Sequence, residues 1–210
     1  MPTQEESNSI YRTDKKVVFV LLCILSMLLL YIQISFIENE TATFEFLADR
    51  PQGAILRTLN TLKYFAIPIV YLWKFTVIAF VVWVGCFTFG FRITYSQCWG
   101  IVLIAEFVFL LASIAKIIYF LFIHTDPTLY EVQAFYPLSA LSFFEYESLD
   151  PRYIYPLKSF SVFEAGYLAL LASGIHFYTH REKKASWMIV LGTYVPLFLL
   201  WLIFYMLVYH

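Results

Sequence analysis

Residues 17–37 read VVFVLLCILSMLLLYIQISFI, a run of 21 residues without a charged side chain. A helix needs about 20 apolar residues to cross a hydrocarbon core of about 30 Å, so this run predicts a membrane-spanning helix. It follows Lys15 and Lys16, as a signal peptide would, but signal-peptide cores are only about 7–15 residues long and end at small residues. Because this run ends in SFIE (residues 35–38), it is interpreted as a retained first helix.

Four more apolar runs are long enough, or nearly so, to form membrane helices. The predicted fold is therefore all-α, a polytopic bundle of five transmembrane helices after a tail of residues 1–16. The helices are expected at about residues 17–37, 64–89, 99–123, 160–178 and 187–209, in one domain (17–209) with outer loops 38–63 and 124–159.

The composition excludes several classes of protein. Hydrophobic residues make up 61% of the 210 and charged residues 14%, whereas soluble domains have about 45–50% and about 25%. A soluble domain of this size could not bury so much apolar surface, so membrane lipid is the expected surrounding. A net charge of −1 argues against nucleic acid as a partner. Cys23, Cys86 and Cys98 lie in or beside apolar runs, which predicts small buried side chains and neither a disulfide framework nor a CxxC zinc site.

Lysine and arginine in short loops indicate which side of the membrane each loop occupies. With the N-terminus in the cytoplasm, the inner segments hold seven of these residues and the longer outer segments five. The compact basic turn at residues 181–184 is the strongest pointer to the cytoplasm. The N-terminus is therefore predicted inside and His210 outside.

The two outer loops differ in composition. Residues 38–63 are polar and predict a short helix around Thr43–Leu47. Residues 124–159 are rich in aromatic rings, which favour the membrane–water interface, so this loop is expected along the outer surface with a short amphipathic helix near Leu138–Tyr146. It is either a cap on the bundle or a docking surface for another protein. The docking candidates are Phe135, Tyr136, Phe143, Phe144, Tyr153 and Tyr155.

Charged residues inside a membrane helix cost about 2.5–3.5 kcal/mol each, so they are expected to be paired, to face a cavity or to lie near an interface. The candidates are Lys74, Glu106, Lys116 and Glu164. Depth counted at about 1.5 Å per residue predicts that Glu164 pairs with Lys74 or Lys116, and leaves Glu106 without an obvious basic partner. These groups either join helices together or line a path for an ion, a proton or a polar substrate.

Small residues at Ala165, Ala169 and Ser173 form a stripe on the fourth predicted helix. Small residues allow membrane helices to approach closely, so this stripe is expected to be buried in the bundle. Ala105, Ala112 and Lys116 share one face of the third helix, and this face is also expected to be buried.

A catalytic or metal site is not predicted. The sequence contains no HExxH, GxSxG, GxxxxGK[ST] or GxGxxG motif. His176 and His180 share a helical face and could hold a metal together with Glu182, but an interfacial pair beside a basic turn is the preferred interpretation. We therefore expect no catalytic residue, no metal and no cofactor.

The order of the segments is also informative. Its features are a hairpin of residues 71–90 and 99–123, Tyr-Pro-Leu triplets at 136–138 and 155–157, and Phe-Ser-Val-Phe-Glu at 160–164 entering a helix. This layout, over roughly residues 15–208, resembles the bacterial branch of the Yip1-domain family of five-helix membrane proteins. The resemblance implies a location in the bacterial inner (plasma) membrane. Eukaryotic members look like vesicle-trafficking proteins that bind small GTPases through a cytoplasmic N-terminal region, which here has about sixteen residues. The resemblance transfers no catalytic residue.

Three classes of function follow. The leading hypothesis is a non-enzymatic scaffold or accessory subunit of a larger membrane assembly, with membrane lipid and other membrane proteins as partners and an open oligomeric state. The alternative is a transporter or permease subunit, suggested by the intramembrane charges and by Pro68 and Pro196 within helices. The third is a membrane enzyme acting on lipid, for which His176, His180 and Glu182 are the available cluster.

Overall fold

The computed structural model describes residues 14–38, 51–124, 127–144, 149–179 and 182–209. These residues form helices and, apart from one isolated bridge between Ser139 and Ser161, no β-structure. The prediction of an all-α fold is confirmed for this part of the chain. The helix expected around Thr43–Leu47 lies outside the described residues.

The helices have the following bounds. They are α1 (Lys15–Gln33, continuing as a π-helix over Ile34–Glu38), α2 (Pro51–Thr88), α3 (Tyr95–Ala105), α4 (Phe107–Phe122), α5 (Leu129–Ala134), a 3₁₀ turn (Ala140–Phe143), α6 (Pro151–Ser159), α7 (Val162–Thr179) and α8 (Lys183–Val208).

Among the described residues, four segments are long and apolar enough to cross a membrane. They are Lys15–Glu38, Thr58–Thr88, Tyr95–Phe122, which joins α3 and α4, and Lys183–Val208. They correspond to the predicted helices at 17–37, 64–89, 99–123 and 187–209. The chain therefore has the helices of an integral membrane protein.

The second helix begins earlier than the sequence predicts. It runs from Pro51 rather than residue 64 and has 38 residues, which makes it about 57 Å long, well beyond a hydrocarbon core of about 30 Å. Apolarity alone placed its start too late, because a helix continues through polar residues outside lipid. Proline at the first helical position suits the start.

The predicted helix at 160–178 is present as α7, which has 18 residues and is about 27 Å long. It is not among the four most apolar segments, and it carries Glu164 and His176. Its buried face is formed by Tyr167, Leu171 and Ile175, which are all fully buried and spaced by four residues.

The small-residue stripe lies elsewhere on α7 than expected. Ala165 and Ser173 are exposed, so the prediction that this stripe is buried is wrong. Ala105 and Ala112 are fully buried, as expected. On α7 the close approach uses Gly174 instead, because a Cβ atom there would lie 2.5 Å from Cγ2 of Ile101.

The turn between α2 and α3 is defined by two local features. Gly90 has a φ of 75°, a conformation that favours glycine. Thr94 then caps α3: its hydroxyl accepts from the Gln97 amide, and the Gln97 side chain accepts from the Thr94 amide at 2.9 Å. This reciprocal arrangement satisfies two donors at the helix start.

The described part of the aromatic segment after α4 contains short helices. Thr128 caps α5 through a reciprocal bond with Glu131, and Asp150 caps α6, which begins with Pro151. The amphipathic helix expected near Leu138–Tyr146 is wrong: the described part of that stretch holds only the 3₁₀ turn. Leu138 has a φ of 52°, which interrupts a helix.

The chain divides into two compact units. Unit 1 contains residues 1–22, 72–108 and 163–210, and unit 2 contains residues 23–71 and 109–162. In unit 1 the rings of Phe19, Phe75 and Trp99 pack together, with centroids 5.9–6.2 Å apart.

Unit 2 has its own apolar core. Ile37, Ile117, Phe120 and Val132 are buried together, and Phe135 stacks on Tyr119 with centroids 4.2 Å apart. This core joins the end of α1, α4 and α5.

The three cysteines are buried and free. Cys23 is 7% exposed, and Cys86 and Cys98 are 0% exposed. This confirms that they are small buried side chains.

Candidate functional site

Four helices of unit 1 bring polar side chains together. Lys74 lies on α2, Glu106 at the junction of α3 and α4, Glu164 and Tyr167 on α7, and Tyr194 on α8. We call these five residues the intramembrane polar cluster.

An ion pair forms the first half of the cluster. Lys74 Nζ donates to Glu106 Oε1 at 2.7 Å. The Glu106 side chain is 3% exposed and that of Lys74 34% exposed. The second carboxylate oxygen, Glu106 Oε2, is buried and accepts no hydrogen bond from the part of the chain that the structure describes. The carboxylate therefore depends strongly on Lys74.

A hydroxyl–carboxyl contact forms the second half. Tyr194 Oη donates to Glu164 Oε1 at 2.7 Å. The Tyr167 and Tyr194 rings pack with centroids 5.5 Å apart, and Lys74 Nζ lies 5.9 Å from the centroid of the Tyr167 ring. The two tyrosines thus connect the carboxyl of Glu164 with the ion pair, and the ring face of Tyr167 stabilises the ammonium.

Three members of the cluster lie deep in their helices. Counted from the nearest helix end, Lys74, Glu106 and Tyr194 lie about 16–21 Å along α2, the α3–α4 span and α8, whereas Glu164 lies in the first turn of α7. A hydrocarbon core is about 30 Å thick, so those three groups are far from water when the helices span a membrane. Pairing at this depth offsets the cost of inserting charge.

The predicted charged residues therefore separate into two sets. The prediction that Glu106 lacks a basic partner is wrong, because Lys74 pairs with it. Glu164 lies within electrostatic range of Lys74 and accepts a hydrogen bond from Tyr194. Lys116 lies in unit 2, within electrostatic range of Lys158, Lys63 and Glu38.

Sequence reasoning missed the two tyrosines of the cluster. Tyr167 is fully buried and Tyr194 is 7% exposed. A signal was present for Tyr194, since a tyrosine far from a helix end requires a partner for its hydroxyl in lipid. Tyrosine is also common at interfaces, so its presence alone did not separate these two from the others.

Of the six aromatic docking candidates, two make contacts within the fold and four are exposed. Phe135 packs in the core of unit 2, and Tyr136 has the ammonium of Lys158 5.7 Å from its ring centroid. The other four are exposed on the 3₁₀ turn and α6, two elements that pack together. They are Phe143 (88% exposed), Phe144 (52%), Tyr153 (50%) and Tyr155 (38%). We call these four rings the aromatic crest.

A cavity of about 280 Å³ opens beside the crest. Phe144 lines it, together with Tyr119 and Phe135 from the core of unit 2. Glu131 lies at its polar side, where hydrogen bonds from the amide and hydroxyl of Thr128 hold the pKa of that carboxyl below its usual value. The cavity is thus mainly aromatic with one acidic group.

A metal site finds no support in the described chain. No group of three His, Cys, Asp or Glu side chains there could hold a metal ion. His176 lies on α7, whereas His180 is outside the described residues, so the histidine pair is not placed.

No family model, curated protein or solved structure matches this chain. The resemblance to the Yip1-domain family therefore stays a prediction.

Proposed function

We propose that this chain is a non-enzymatic integral membrane protein that acts as a scaffold or accessory subunit of a larger membrane assembly. The aromatic crest carries the proposal. Its rings are held on ordered backbone: the Ala140 amide donates to the Phe160 carbonyl at 2.8 Å, and the Val162 amide to the Leu138 carbonyl at 3.1 Å. Rigid exposed aromatic side chains are typical anchors of protein interfaces.

The partner that fits the crest is another membrane protein with an apolar surface near the membrane boundary. Interface anchors insert into pockets and receive the partner's anchors in turn. The cavity beside Phe144 offers such a pocket, so both halves of a reciprocal contact are available here. This makes the cap-only interpretation of the segment less favourable.

The proposal includes five membrane spans with the N-terminus in the cytoplasm and the C-terminus outside, in the bacterial inner membrane. Support for counting α7 as a membrane span, in addition to the four apolar segments, comes from packing within unit 1. Gly174 of α7 lies against Ile101 and Gly166 against Val108, so α7 runs antiparallel beside a helix with the properties of a span. A helix covered by protein needs less apolar surface than one that faces lipid.

A photo-crosslinking experiment tests the scaffold proposal. A photoreactive phenylalanine analogue replaces Phe143 in one variant and Phe87 in the other. Phe87 is a matched control, since it is 75% exposed and lies on the membrane helix α2. We expect Phe143 to yield a discrete protein adduct in native membranes and Phe87 to yield lipid adducts.

Affinity purification in mild detergent completes the test. We expect a stoichiometric partner that is lost on Phe143→Ser and kept on Phe87→Ser. Recovery of the chain alone, with identical adducts at both positions, would reject the scaffold function.

A transporter or permease subunit is the second candidate. The observation that favours it is the buried Glu106 Oε2 beside Lys74, a carboxylate oxygen deep in the bundle with capacity for a ligand. The pairing of Lys74 with Glu106 counts against it, because a paired charge is not available to a moving ion. Flux in proteoliposomes that disappears on Glu106→Gln would support transport over the scaffold.

A further inference from the structure

The cavity beside the aromatic crest combines aromatic walls with one negative charge. Five aromatic side chains of the described chain line it, namely Tyr119, Phe120, Phe135, Tyr136 and Phe144. All of them belong to unit 2. The cavity volume of about 280 Å³ is close to the lower limit of about 300 Å³ for small-molecule pockets. The cavity therefore has room for one inserted side chain rather than for a helix or a strand.

The aromatic walls hold each other in position. Phe135 stacks on Tyr119 with ring centroids 4.2 Å apart and meets Phe120 edge-on at 5.2 Å. Phe144 is 52% exposed, and its backbone is fixed to the 3₁₀ turn, since its amide donates to the Leu141 carbonyl at 3.1 Å. An inserted group would therefore meet preformed aromatic surfaces, which attract a cation.

Glu131 supplies the negative charge. Its side chain lines the cavity and is 51% exposed. Hydrogen bonds from the Thr128 amide, at 2.8 Å, and from the Thr128 hydroxyl lower the pKa of the Glu131 carboxyl, so this group is ionised at neutral pH. His124 Nε2 lies 3.5 Å from Glu131 Oε2, beyond the usual hydrogen-bond range of about 2.7–3.2 Å. A neutral imidazole at that distance does not cancel the negative charge.

A partner that packs on the crest would also cover this carboxylate, because Phe144 is both a ring of the crest and a wall of the cavity. Burying a carboxylate without a cation is costly, and an apolar anchor in the cavity would impose that cost. No lysine or arginine of the described chain lines the cavity. Lys158, whose ammonium lies 5.7 Å from the Tyr136 ring centroid, is not among the lining residues. The charge of the cavity therefore complements a cationic anchor.

We propose that the cavity receives an arginine side chain of the partner, with its guanidinium against the aromatic walls and hydrogen-bonded to the Glu131 carboxylate. Arginine suits both features, because its planar guanidinium stacks on rings, binds carboxylates through two donors and is more weakly hydrated than an ammonium. Arginine is also enriched among the residues that dominate protein interfaces. This inference rests on the proposed scaffold function, since it names the anchor that the partner inserts beside the crest.

The test measures the binding of single-residue probes to the full chain, purified in a neutral detergent. The probe is Nα-acetyl-arginine amide. Nα-acetyl-citrulline amide is its matched control, because citrulline keeps the planar shape and lacks the charge. Nα-acetyl-lysine amide has the charge without the planar group, and Nα-acetyl-phenylalanine amide represents an apolar anchor. In ligand-observed NMR titrations, the arginine probe should bind about tenfold more tightly than the citrulline probe, with the lysine probe between them and the phenylalanine probe weaker than arginine.

Two glutamine substitutions locate the binding. Glu131→Gln should weaken binding of the arginine probe by about tenfold or more, as expected when a hydrogen bond to a charged group is lost, and should leave the citrulline probe unchanged. Glutamine can still accept from the Thr128 amide, as in a capping box, so α5 is retained. Glu182→Gln removes an exposed carboxylate that does not line the cavity and should change neither affinity.

Three results would overturn the proposal. They are equal affinities for the arginine probe and either the citrulline or the lysine probe, equal affinities of the parent and Glu131→Gln, and tighter binding of the phenylalanine probe than of the arginine probe. The last result would identify the cavity as a pocket for an apolar anchor.

The photoreactive analogue at Phe143 separates this proposal from the scaffold function. Its protein adduct in native membranes should decrease by a similar factor on Glu131→Gln and persist on Glu182→Gln. An adduct that Glu131→Gln leaves unchanged overturns the arginine anchor while the scaffold function stands. Probe binding at the cavity without any protein adduct rejects the scaffold function, and with it the partner as the source of the guanidinium.

Discussion

Glu106 is one of two charged residues in the span Tyr95–Phe122, and its carboxylate accepts a hydrogen bond from Lys74 on α2 at 2.7 Å. The two residues are unequally exposed, since Glu106 is nearly completely enclosed and Lys74 keeps a third of its side chain accessible. The loss of either partner therefore has unequal consequences. Loss of Lys74 would leave the buried Glu106 carboxylate without its ion-pair partner, which is the more costly of the two losses.

The first prediction concerns this asymmetry. Lys74→Met leaves a buried carboxylate without its partner and should lower the free energy of unfolding by about 2–4 kcal/mol. Glu106→Gln leaves a lysine that reaches a more accessible environment, so its cost should be smaller. The measurement is reversible unfolding in detergent micelles.

The double variant Lys74→Met/Glu106→Gln is the control for this pair. Because the second substitution removes the orphaned charge, the double variant should be more stable than Lys74→Met alone. If Lys74→Met and Glu106→Gln lower the free energy of unfolding equally, and the double variant loses the sum of the two, the two residues do not interact energetically.

The sequence located all four intramembrane charges but did not predict that Lys74 is the partner of Glu106. Depth was counted from residue 64, whereas the second helix begins at Pro51. The depth assigned to Lys74 therefore depended on a helix boundary that was wrong. Which helices are neighbours is a tertiary property that periodicity does not contain.

At the level of elements, membrane helices approach closely where side chains are small. The sequence predicted this for α7 but selected alanines and a serine, two of which are exposed. A spacing of four residues predicts a shared face, not the direction in which the face points. Gly174, which contacts Ile101, is the position where the helices approach so closely that a side chain would not fit.

The second prediction tests that approach. Gly174→Ala should lower the free energy of unfolding by about 1–3 kcal/mol, because its Cβ would meet Ile101, which is 1% exposed and cannot move aside. Gly192→Ala is the matched control: the nearest atom to its Cβ is Phe89 Cζ at 4.0 Å. Thermal unfolding should show Gly192→Ala as neutral or stabilising, since alanine favours a helix.

A second-site change distinguishes a clash from other causes. In an Ile101→Ala background, Gly174→Ala should lose its destabilising effect. An unchanged penalty in that background would show that the two helices do not meet at this point.

The short helices of the aromatic segment were predicted least well. Hydropathy places spans but does not find α5 and α6, which depend on caps at Thr128 and Asp150. Both caps are readable in retrospect, as Thr-x-x-Glu and Asp-Pro. The expected amphipathic helix does not form at Leu138, because this residue has a positive φ that no local sequence pattern predicts.

The third prediction concerns the cap of α6. Hydrogen bonds from the Arg152 side chain and, to a smaller extent, from the Arg152 backbone amide lower the pKa of the Asp150 carboxyl from 3.8 to about 2. Because the folded form favours the carboxylate, the cap is complete above pH 3.8 and is lost as the pH falls toward 2. The chemical shift of the Asp150 carboxyl carbon, followed by NMR, should titrate near pH 2.

Arg152→Ala should move that midpoint upward, although the backbone amide of residue 152 still donates to Asp150. Arg92→Ala, which removes an arginine outside α6, should leave the midpoint in place. A parent protein in which Asp150 titrates at its ordinary value would show that this cap does not form.

For the whole molecule, the number of membrane crossings decides the orientation of α8. With five spans the start of α8 at Lys183 is cytoplasmic and Tyr209 is outside. If α7 does not cross the membrane, both locations reverse. The packing of α7 along the α3–α4 span and its contact with Tyr194 favour five. Lysine and arginine counts favour the same arrangement.

The fourth prediction is therefore a labelling pattern for single cysteines. In intact cells, a membrane-impermeant maleimide should label Tyr130→Cys and Tyr209→Cys, and it should label Lys184→Cys only after permeabilisation. The parent protein is the control for background, because its three cysteines are at most 7% exposed. Four crossings would instead place Lys184→Cys with Tyr130→Cys outside and protect Tyr209→Cys, since α8 would then cross in the opposite direction. Because each variant is read on both sides of the membrane, labelling of Tyr209→Cys and Lys184→Cys on one side would show that α8 does not cross at all.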